Sequence, residues 1–202
     1  MTLWRGEKPL VLASQSKARQ SLLAHAGIAF ESDPADIDER GLQGSAKLSA
    51  PGDIARLLAA EKARAVSSRR AGSHVIGADQ TLALGARTFN KPTGRAQAAD
   101  QLRALSGQTH KLYSAVAVAR DAKILFEHVA IAHMTMRPLG VAEIETYLDE
   151  AGSAVTTSVG AYQLEGLGVH LFERIEGDHF TILGLPLLPL VAFLRSENLL
   201  GI

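Results

Sequence analysis

The residues best suited to chemistry lie between positions 75 and 92, which read Val-Ile-Gly-Ala-Asp-Gln-Thr-Leu-Ala-Leu-Gly-Ala-Arg-Thr-Phe-Asn-Lys-Pro. A short apolar strand, Val75 to Ala78, runs into a single acid, Asp79. A second apolar strand follows, then a turn at Gly85, then Lys91 before Pro92. A carboxylate leaving a buried strand is costly to desolvate unless it holds a metal, takes a proton or caps a helix. No helix pattern starts at Asp79. Metal binding and proton transfer remain, beside the plain alternative of a strand-end acid turned to solvent.

A second segment supplies the opposite charge. Residues 10–27 read Leu-Val-Leu-Ala-Ser-Gln-Ser-Lys-Ala-Arg-Gln-Ser-Leu-Leu-Ala-His-Ala-Gly. Leu10 to Ala13 have the pattern of a buried strand. Ser14 and Ser16 fill the loop, Ser16 is placed as an N-cap, and Gly27 closes the helix. Leu22, Leu23 and Ala26 fall on one helical face. Lys17 and Arg19 stand in the first turn, where cations oppose the helix dipole. Free N–H groups, two hydroxyls and that misplaced positive charge together suit an anion such as phosphate. The plainer reading makes Ser16 a cap and nothing more.

With these two segments in hand, the chain resembles the Maf-like nucleoside triphosphate pyrophosphatases. The similarity rests on Leu12-Ala13-Ser14-x-Ser16-x-x-Arg19, on Gly77-Ala78-Asp79 and on Lys91-Pro92 after a hairpin. It continues through Leu105-Ser106-Gly107-Gln108-Thr109-His110, Gly160-Ala161-Tyr162 with Glu165-Gly166-Leu167-Gly168, Glu173-Arg174-Ile175-Glu176-Gly177 and Gly184-Leu185-Pro186-Leu187. Each block is weak alone. Their order and their spread over nearly the whole chain make the signal strong.

The resemblance implies an α/β fold of the Maf/inosine-triphosphatase kind: a mixed sheet with flanking helices and a cleft between two lobes, in one domain over 1–202. It implies hydrolysis of a nucleoside triphosphate between the α and β phosphates. It also implies a divalent cation, Mg²⁺ or Mn²⁺, and a homodimer. Asp79 matches the family's proton acceptor and, with Glu39 of Asp36-Ile37-Asp38-Glu39, its metal-binding carboxylates. Proton acceptor and metal ligand stay open for Asp79. Ser14, Ser16, Arg19, Lys62 and Lys91 match phosphate-binding positions. For Lys62 the plain alternative is a solvent-facing helix lysine, and for Glu39 a solvated loop acid. Arg19 offers a planar fork suited to bidentate phosphate contact.

Three further positions sort substrates within the family, and here they hold Ala18, Gln80 and Glu165. Enzymes acting on dTTP and UTP carry Arg, Thr and Gln there; those acting on 7-methyl-GTP carry Trp, Gln and Glu. Gln80 and Glu165 fit the 7-methyl-GTP branch, while Ala18 fits neither and removes a stacking surface. The alternatives are a dTTP/UTP pyrophosphatase and a nucleotide-binding regulator of septum formation without turnover. Lys17, Gln20 and Ser158 also depart from the family's usual Pro, Arg and Lys.

Composition narrows the classes. The chain has 202 residues, 47% apolar and 21% charged, with a formal net charge of zero. That length buries a full core. Zero net charge gives no general attraction to nucleic acid or to a membrane. The absence of cysteine excludes disulfides, thiolate zinc sites and cysteine nucleophiles. It agrees with a reducing, cytoplasmic setting; the house-cleaning role is what the resemblance implies. The polar N-terminus does not read as a signal peptide, and the apolar run 182–194 carries two prolines and is too short to span a bilayer. The seven histidines show no metal-ligand spacing. No P-loop or dinucleotide glycine motif occurs.

The elements that must position these residues follow from periodicity. After the first helix, Ile28 to Glu31 form a strand and residues 32–51 a loop. A helix over about 53–71 puts Ile54, Leu57, Leu58 and Ala65 on one face. Residues 95–105 form a helix, 111–119 and 124–136 two long strands around Arg120-Asp121-Ala122-Lys123, and 141–150 a helix. Residues 158–168 form a glycine-rich loop. Residues 169–175 and 179–183 form a hairpin, and a last helix starts at Pro186.

Overall fold

The structure, a computed structural model, describes residues 3–46 and 48–202. The chain divides into two compact units: one of residues up to 80, 114–130 and 179–202, the other of residues 81–113 and 131–178.

In the first unit, β1 (Val11–Leu12) runs parallel to β2 (Glu31–Ser32) on one side and to β3 (Val75–Leu84) on the other. The order continues through the adjoining parts of β5 (Thr109–Arg120) and β6 (Lys123–Met136). Helix α1 (Lys17–His25) and α7 (Leu187–Ser196) cover one face of this sheet. Leu10, Leu12, Ile76, Val116 and Val118 meet Leu23, Leu190 and Leu194 there. Helix α3 (Pro51–Ser67) covers the other, where Val11, Ala13 and Val75 meet Val66. Strand side chains alternate between faces. On β3, therefore, Val75, Gly77 and Asp79 point toward α3, and Ile76, Ala78 and Gln80 point the other way.

Gly77 sets how closely α3 approaches. A Cβ there would lie 2.1 Å from Ala59 O and 2.6 Å from Ala63 N. The buried face of α3 is accordingly made of small residues, Ala55, Ala59, Ala63 and Val66, with Leu58. Ile54, Leu57 and Ala65, expected on the core face, are only half-buried. Close approach to a strand backbone rewards alanine over leucine, so of the residues expected on that face only Leu58 lies on the buried one.

Other expectations shift for local reasons. The strand foreseen at 28–31 begins at Glu31, because Ile28 leaves the left-handed Gly27 (φ 69°) into the core and pairing with β1 starts with Glu31 N donating to Leu10 O at 2.8 Å. The segment 32–51, expected as a loop, contains α2 (Glu39–Ala46). Asp38 Oδ1 accepts from Gly41 N at 3.0 Å in its first turn, a cap that offsets two helix glycines. β3 is one strand through residue 84, so Asp79 is mid-strand, not at a strand end. The turn between β5 and β6 uses Asp121 (φ 49°) and Ala122 (φ 61°), both left-handed, as a two-residue hairpin requires.

In the second unit, residues Leu82–Leu84 of β3 pair antiparallel with β4 (Arg87–Phe89) across the turn at Gly85. Helix α4 (Arg95–Leu105) and α5 (Val141–Ala151) match their expected spans closely. β7 (Phe172–Glu176) pairs antiparallel with β6 from His133 to Met136. The expected hairpin of 169–175 with 179–183 does not form. β7 takes β6 as partner, and His179–Ile182, in the first unit, is a short helix, α6. Its Thr181 and Ile182 are buried, so their apolar and β-branched character served packing rather than a ladder. The mixed α/β class stands.

Candidate active site

The first unit gathers a compact polar group where β3 runs on past the end of β1. The chain leaves β1, turns through Ser14-Gln15-Ser16 and enters α1. Ser16 is the N-cap, its Oγ accepting from Arg19 N at 3.4 Å. Ser14 Oγ accepts from Ser16 N and from Arg19 Nη1, both at 3.2 Å. A hydroxyl has two lone pairs and one donor, so what Ser14 retains for a ligand is its O–H.

Arg19 is held from three sides. Its Nε donates to Gly184 O at 2.8 Å, and its Nη1 donates to Ala78 O at 2.9 Å as well as to Ser14. Ile76 O still accepts from Ala13 N, but two residues later β1 has ended, and Arg19 takes the orphaned Ala78 carbonyl. Nη2 makes no hydrogen bond among the described residues, which leaves its two N–H groups for an anion. Burial lowers the Arg19 pKa from its usual value, against the raising effect of Asp79 and Glu39. Gly184 (φ 88°) allows the close approach: a Cβ there would sit 3.4 Å from Nε and Nη2.

The acidic side faces α3. Lys62 Nζ lies 2.6 Å from Asp79 Oδ1 and 2.8 Å from Glu39 Oε1. Asp79 and Lys62 side chains are 12% and 13% exposed, whereas Glu39, at the start of α2, is 46% exposed. Lys62 is therefore not the solvent-facing lysine of the plain reading; Glu39 stays solvated, as its plain reading has it, but stands in helix α2 rather than a loop and has Lys62 as a partner. Asp79 Oδ2 takes no hydrogen bond among the described residues, so it can accept a proton or a cation. Two carboxylates already converge on one cationic point. All their ligand atoms are oxygen, which suits Mg²⁺ or Mn²⁺. Among the described residues no group of three or more His, Asp or Glu is placed to hold a metal. A hard divalent ion would thus be held by Glu39 and Asp79 and completed by substrate oxygens and water, the usual pattern for Mg²⁺ on phosphates.

Gln80 follows Asp79 but faces the other side of the strand. Its Nε2 donates toward Ser114 Oγ at 2.8 Å, Ile182 O at 3.0 Å and Thr181 O at 3.2 Å. Ala18 lies half-buried in the first turn of α1.

Lys91 and Glu165 belong to the second unit. Lys91 follows β4, exposed, before the buried Pro92. Glu165 is exposed in a turn in which Gly166 N and Gly168 N both donate to Gln163 O, at 3.2 and 3.1 Å. Gln101 of α4 ties these two regions together: its Nε2 donates to Asn90 O at 2.8 Å and its Oε1 accepts from Gly160 N at 3.0 Å. Sequence reasoning missed Gln101, Ser114 and the carbonyls of 181–184. Ser114 left one trace, a serine inside the apolar run 112–119. Backbone carbonyls leave none.

An anion cradle at a strand–helix turn, set against a lysine-bridged pair of carboxylates, defines a protein that handles phosphorylated ligands. Comparison with known proteins agrees. The chain belongs to the Maf family, described as Maf-like protein, whose model matches residues 9–197. It is 70% identical, over 202 residues covering all of both chains, to a nucleoside triphosphate pyrophosphatase of Bradyrhizobium diazoefficiens. It is 68% identical, again over the full length of both, to a protein of the same name from Rhodopseudomonas palustris. A 7-methyl-GTP pyrophosphatase of Brucella abortus is 52% identical over 191 residues, 94% of this chain and 96% of its own.

Proposed function

We propose that this chain is a metal-dependent nucleoside triphosphate pyrophosphatase that yields the nucleoside monophosphate and diphosphate. The observation that carries this reading is the Glu39–Lys62–Asp79 group beside the Arg19 cradle. The names of its close Maf-family relatives support it. A water molecule attacks the α-phosphorus, the bond from that phosphorus to the α–β bridging oxygen breaks, and diphosphate leaves with that oxygen. Asp79 Oδ2 takes the proton released by the water. Arg19 Nη2 and the Ser14 hydroxyl bind phosphate oxygens, and Ser16 holds the turn that presents them. Lys62 turns from its two carboxylates toward the phosphates, and Lys91 matches a further phosphate-binding position of the family. A divalent cation, when bound by Glu39 and Asp79, neutralises charge on the phosphate oxygens.

The base is of the guanine type, with 7-methyl-GTP as the leading substrate. Gln80 and Glu165 carry this assignment, and the Brucella abortus relative bears that name. Guanine offers two neighbouring donors, N1–H and the 2-amino group, where uracil offers one N–H. A carboxylate facing a pyrimidine carbonyl is repelled. The reading extends to a cytoplasmic house-cleaning enzyme that works as a homodimer. Among the described residues no helix is long and apolar enough to cross a membrane.

The test is incubation with Mg²⁺ and a panel of triphosphates, with separate assays for diphosphate and orthophosphate. Diphosphate release with 7-methyl-GTP as the best substrate is expected. Orthophosphate release, or no turnover, overturns the pyrophosphatase reading. A preference for dTTP or UTP overturns the base assignment alone.

A further inference from the structure

Helix α4 fastens two loops of the second unit, and it does so with glutamine side chains. Gln97 and Gln101 stand four residues apart, one above the other on the helix. Gln97 Oε1 accepts from Thr93 N at 2.9 Å and from Thr93 Oγ1 at 3.1 Å. Gln101 Nε2 donates to Asn90 O at 2.8 Å. Residues 90–93 are thus attached to α4 at both ends, with Lys91 and the buried Pro92 between the attachments. Proline fixes its own φ and restricts the residue before it, so little backbone freedom is left at Lys91.

The other half of the Gln101 carboxamide goes to the glycine-rich loop. Its Oε1 accepts from Gly160 N at 3.0 Å. Asn90 O only accepts and Gly160 N–H only donates, so one orientation of the amide serves both and the reverse serves neither. Gly160 (φ 80°) is tightly seated: a Cβ there would lie 2.7 Å from Leu82 Cδ1 and from Tyr162 Cε1. The next carbonyl, Ala161 O, accepts from the Tyr147 hydroxyl at 3.2 Å, and Ser158 Oγ donates to Tyr162 O. Among the described residues no backbone hydrogen bond joins residues 90–93 to residues 158–168 directly. One side chain makes that connection. The core face of α4 is Ala98, Ala99, Leu102 and Leu105, while Gln97 is exposed and Gln101 half-buried. Fixing a glutamine costs about as much rotamer freedom as a net hydrogen bond returns. The two glutamines therefore add little to stability, and what they supply is placement.

We infer that Gln101 is a positioning residue for the nucleotide: it holds the 90–93 segment and the 158–168 loop at a fixed spacing, so that Lys91 and the loop meet the ligand as one preformed surface. Such preorganisation raises affinity by removing an ordering cost at the moment of binding. Gln101 acts through Lys91 and the loop rather than on the ligand itself. Among the described residues it makes no hydrogen bond to Arg19, Lys62 or Asp79, so its loss leaves the groups of the bond-breaking step in place. The inference rests on the pyrophosphatase reading and adds to it the side chain that joins Lys91 to the glycine-rich loop.

The experiment is a double-mutant cycle between Gln101→Met and Lys91→Ala. Methionine is unbranched like glutamine, so it fills the same space, removes both hydrogen bonds and adds no charge. Two quantities are measured for all four proteins beside melting curves. One is KM for the triphosphate hydrolysed best; the other is the calorimetric Kd for its uncleavable α,β-methylene analogue. Gln101→Met is expected to raise KM and Kd by about 3–10-fold, the scale of one or two net hydrogen bonds, with kcat nearly unchanged. In the Lys91→Ala background the same substitution has a smaller effect, because residues that act as one unit are not additive. Gln97→Met, which frees only the far end of the 90–93 segment, gives a smaller rise of the same kind. Additive effects, a fall in kcat with KM unchanged, or losses that merely follow the melting temperature overturn the inference and leave the pyrophosphatase reading standing. Hydrolysis of no triphosphate overturns that reading, and the Kd cycle still decides the positioning claim. Neither hydrolysis nor binding overturns both.

Discussion

Lys62 on α3 reaches Asp79 on β3 at 2.6 Å, and the same ammonium meets Glu39 at 2.8 Å. One lysine thereby holds together two carboxylates from separate elements. Their like charges would otherwise repel. The pair with Asp79 is nearly buried, so it is little screened by salt.

Replacing Asp79 by Asn keeps the shape and removes the proposed proton acceptor. Turnover should fall by at least about 10²-fold, the lower range for a lost general base. Lys62 keeps Glu39 as a partner and Asn can still accept its hydrogen bond, so the thermal midpoint should move by only a few degrees. Steady-state kinetics beside a melting curve checks both. Near-wild-type turnover would remove Asp79 from the chemistry.

Lys62→Met separates two roles. If the ammonium only supports the fold, nucleotide-free affinity for Mn²⁺ should not rise when it is lost. If Glu39 and Asp79 are the ligands of a divalent ion, removing the competing cation should tighten Mn²⁺ binding, by about 10-fold for about 1.4 kcal/mol of relieved competition. Turnover should nevertheless fall, because the proposed phosphate contact goes with it. Calorimetry without nucleotide gives the decisive number, and weaker Mn²⁺ binding would argue against this ligand pair.

Gly77→Ala tests how α3 is seated. The new methyl would lie 2.1 Å from Ala59 O, a backbone atom, so α3 must shift as a whole. Overpacking of this kind costs about 1–3 kcal/mol. For a chain of this length that corresponds to a melting point lower by roughly 2–12 °C. Activity should drop as well, since Lys62 moves with the helix. A stable, fully active Ala variant would mean that the helix does not position Lys62.

His110 governs a pH dependence in the second unit. It is fully buried, its Nε2 sits 2.7 Å from the Tyr162 hydroxyl, and burial lowers its pKa from 6.5 to about 4. Between those values the unfolded chain binds the proton and the folded chain does not, so stability falls as pH drops from 6.5 toward 4. At pH 4.5 this one group should cost about 2–3 kcal/mol relative to pH 7. His110→Asn cannot titrate and should flatten that part of the curve by the same amount. Urea midpoints at pH 7 and pH 4.5, compared between the two proteins, measure it.

The sequence alone determined the local elements and the identity of the chemical groups. Ser16 capping α1, the helix at 95–105, the turn after β5 and the family blocks were legible because capping, helical period and turn chemistry depend on neighbours within a few residues. Asp79, Arg19, Lys62 and Glu39 were named on residue type and resemblance. What the tertiary structure decided is what each group faces. Two-residue alternation on β3 sends Asp79 to Lys62 and Gln80 to Ser114, yet only the packed helices show which face holds which partner. Helix α2 was hidden by its glycines, because a side-chain cap and a long-range ion pair offset a poor local propensity. The carbonyls of Ala78, Thr181, Ile182 and Gly184 were beyond reach, since every residue carries the same carbonyl and only its placement gives it a role. A backbone group acquires a function when the fold leaves it unpaired beside a side chain that needs it, and that depends on distances in space that residue order does not record.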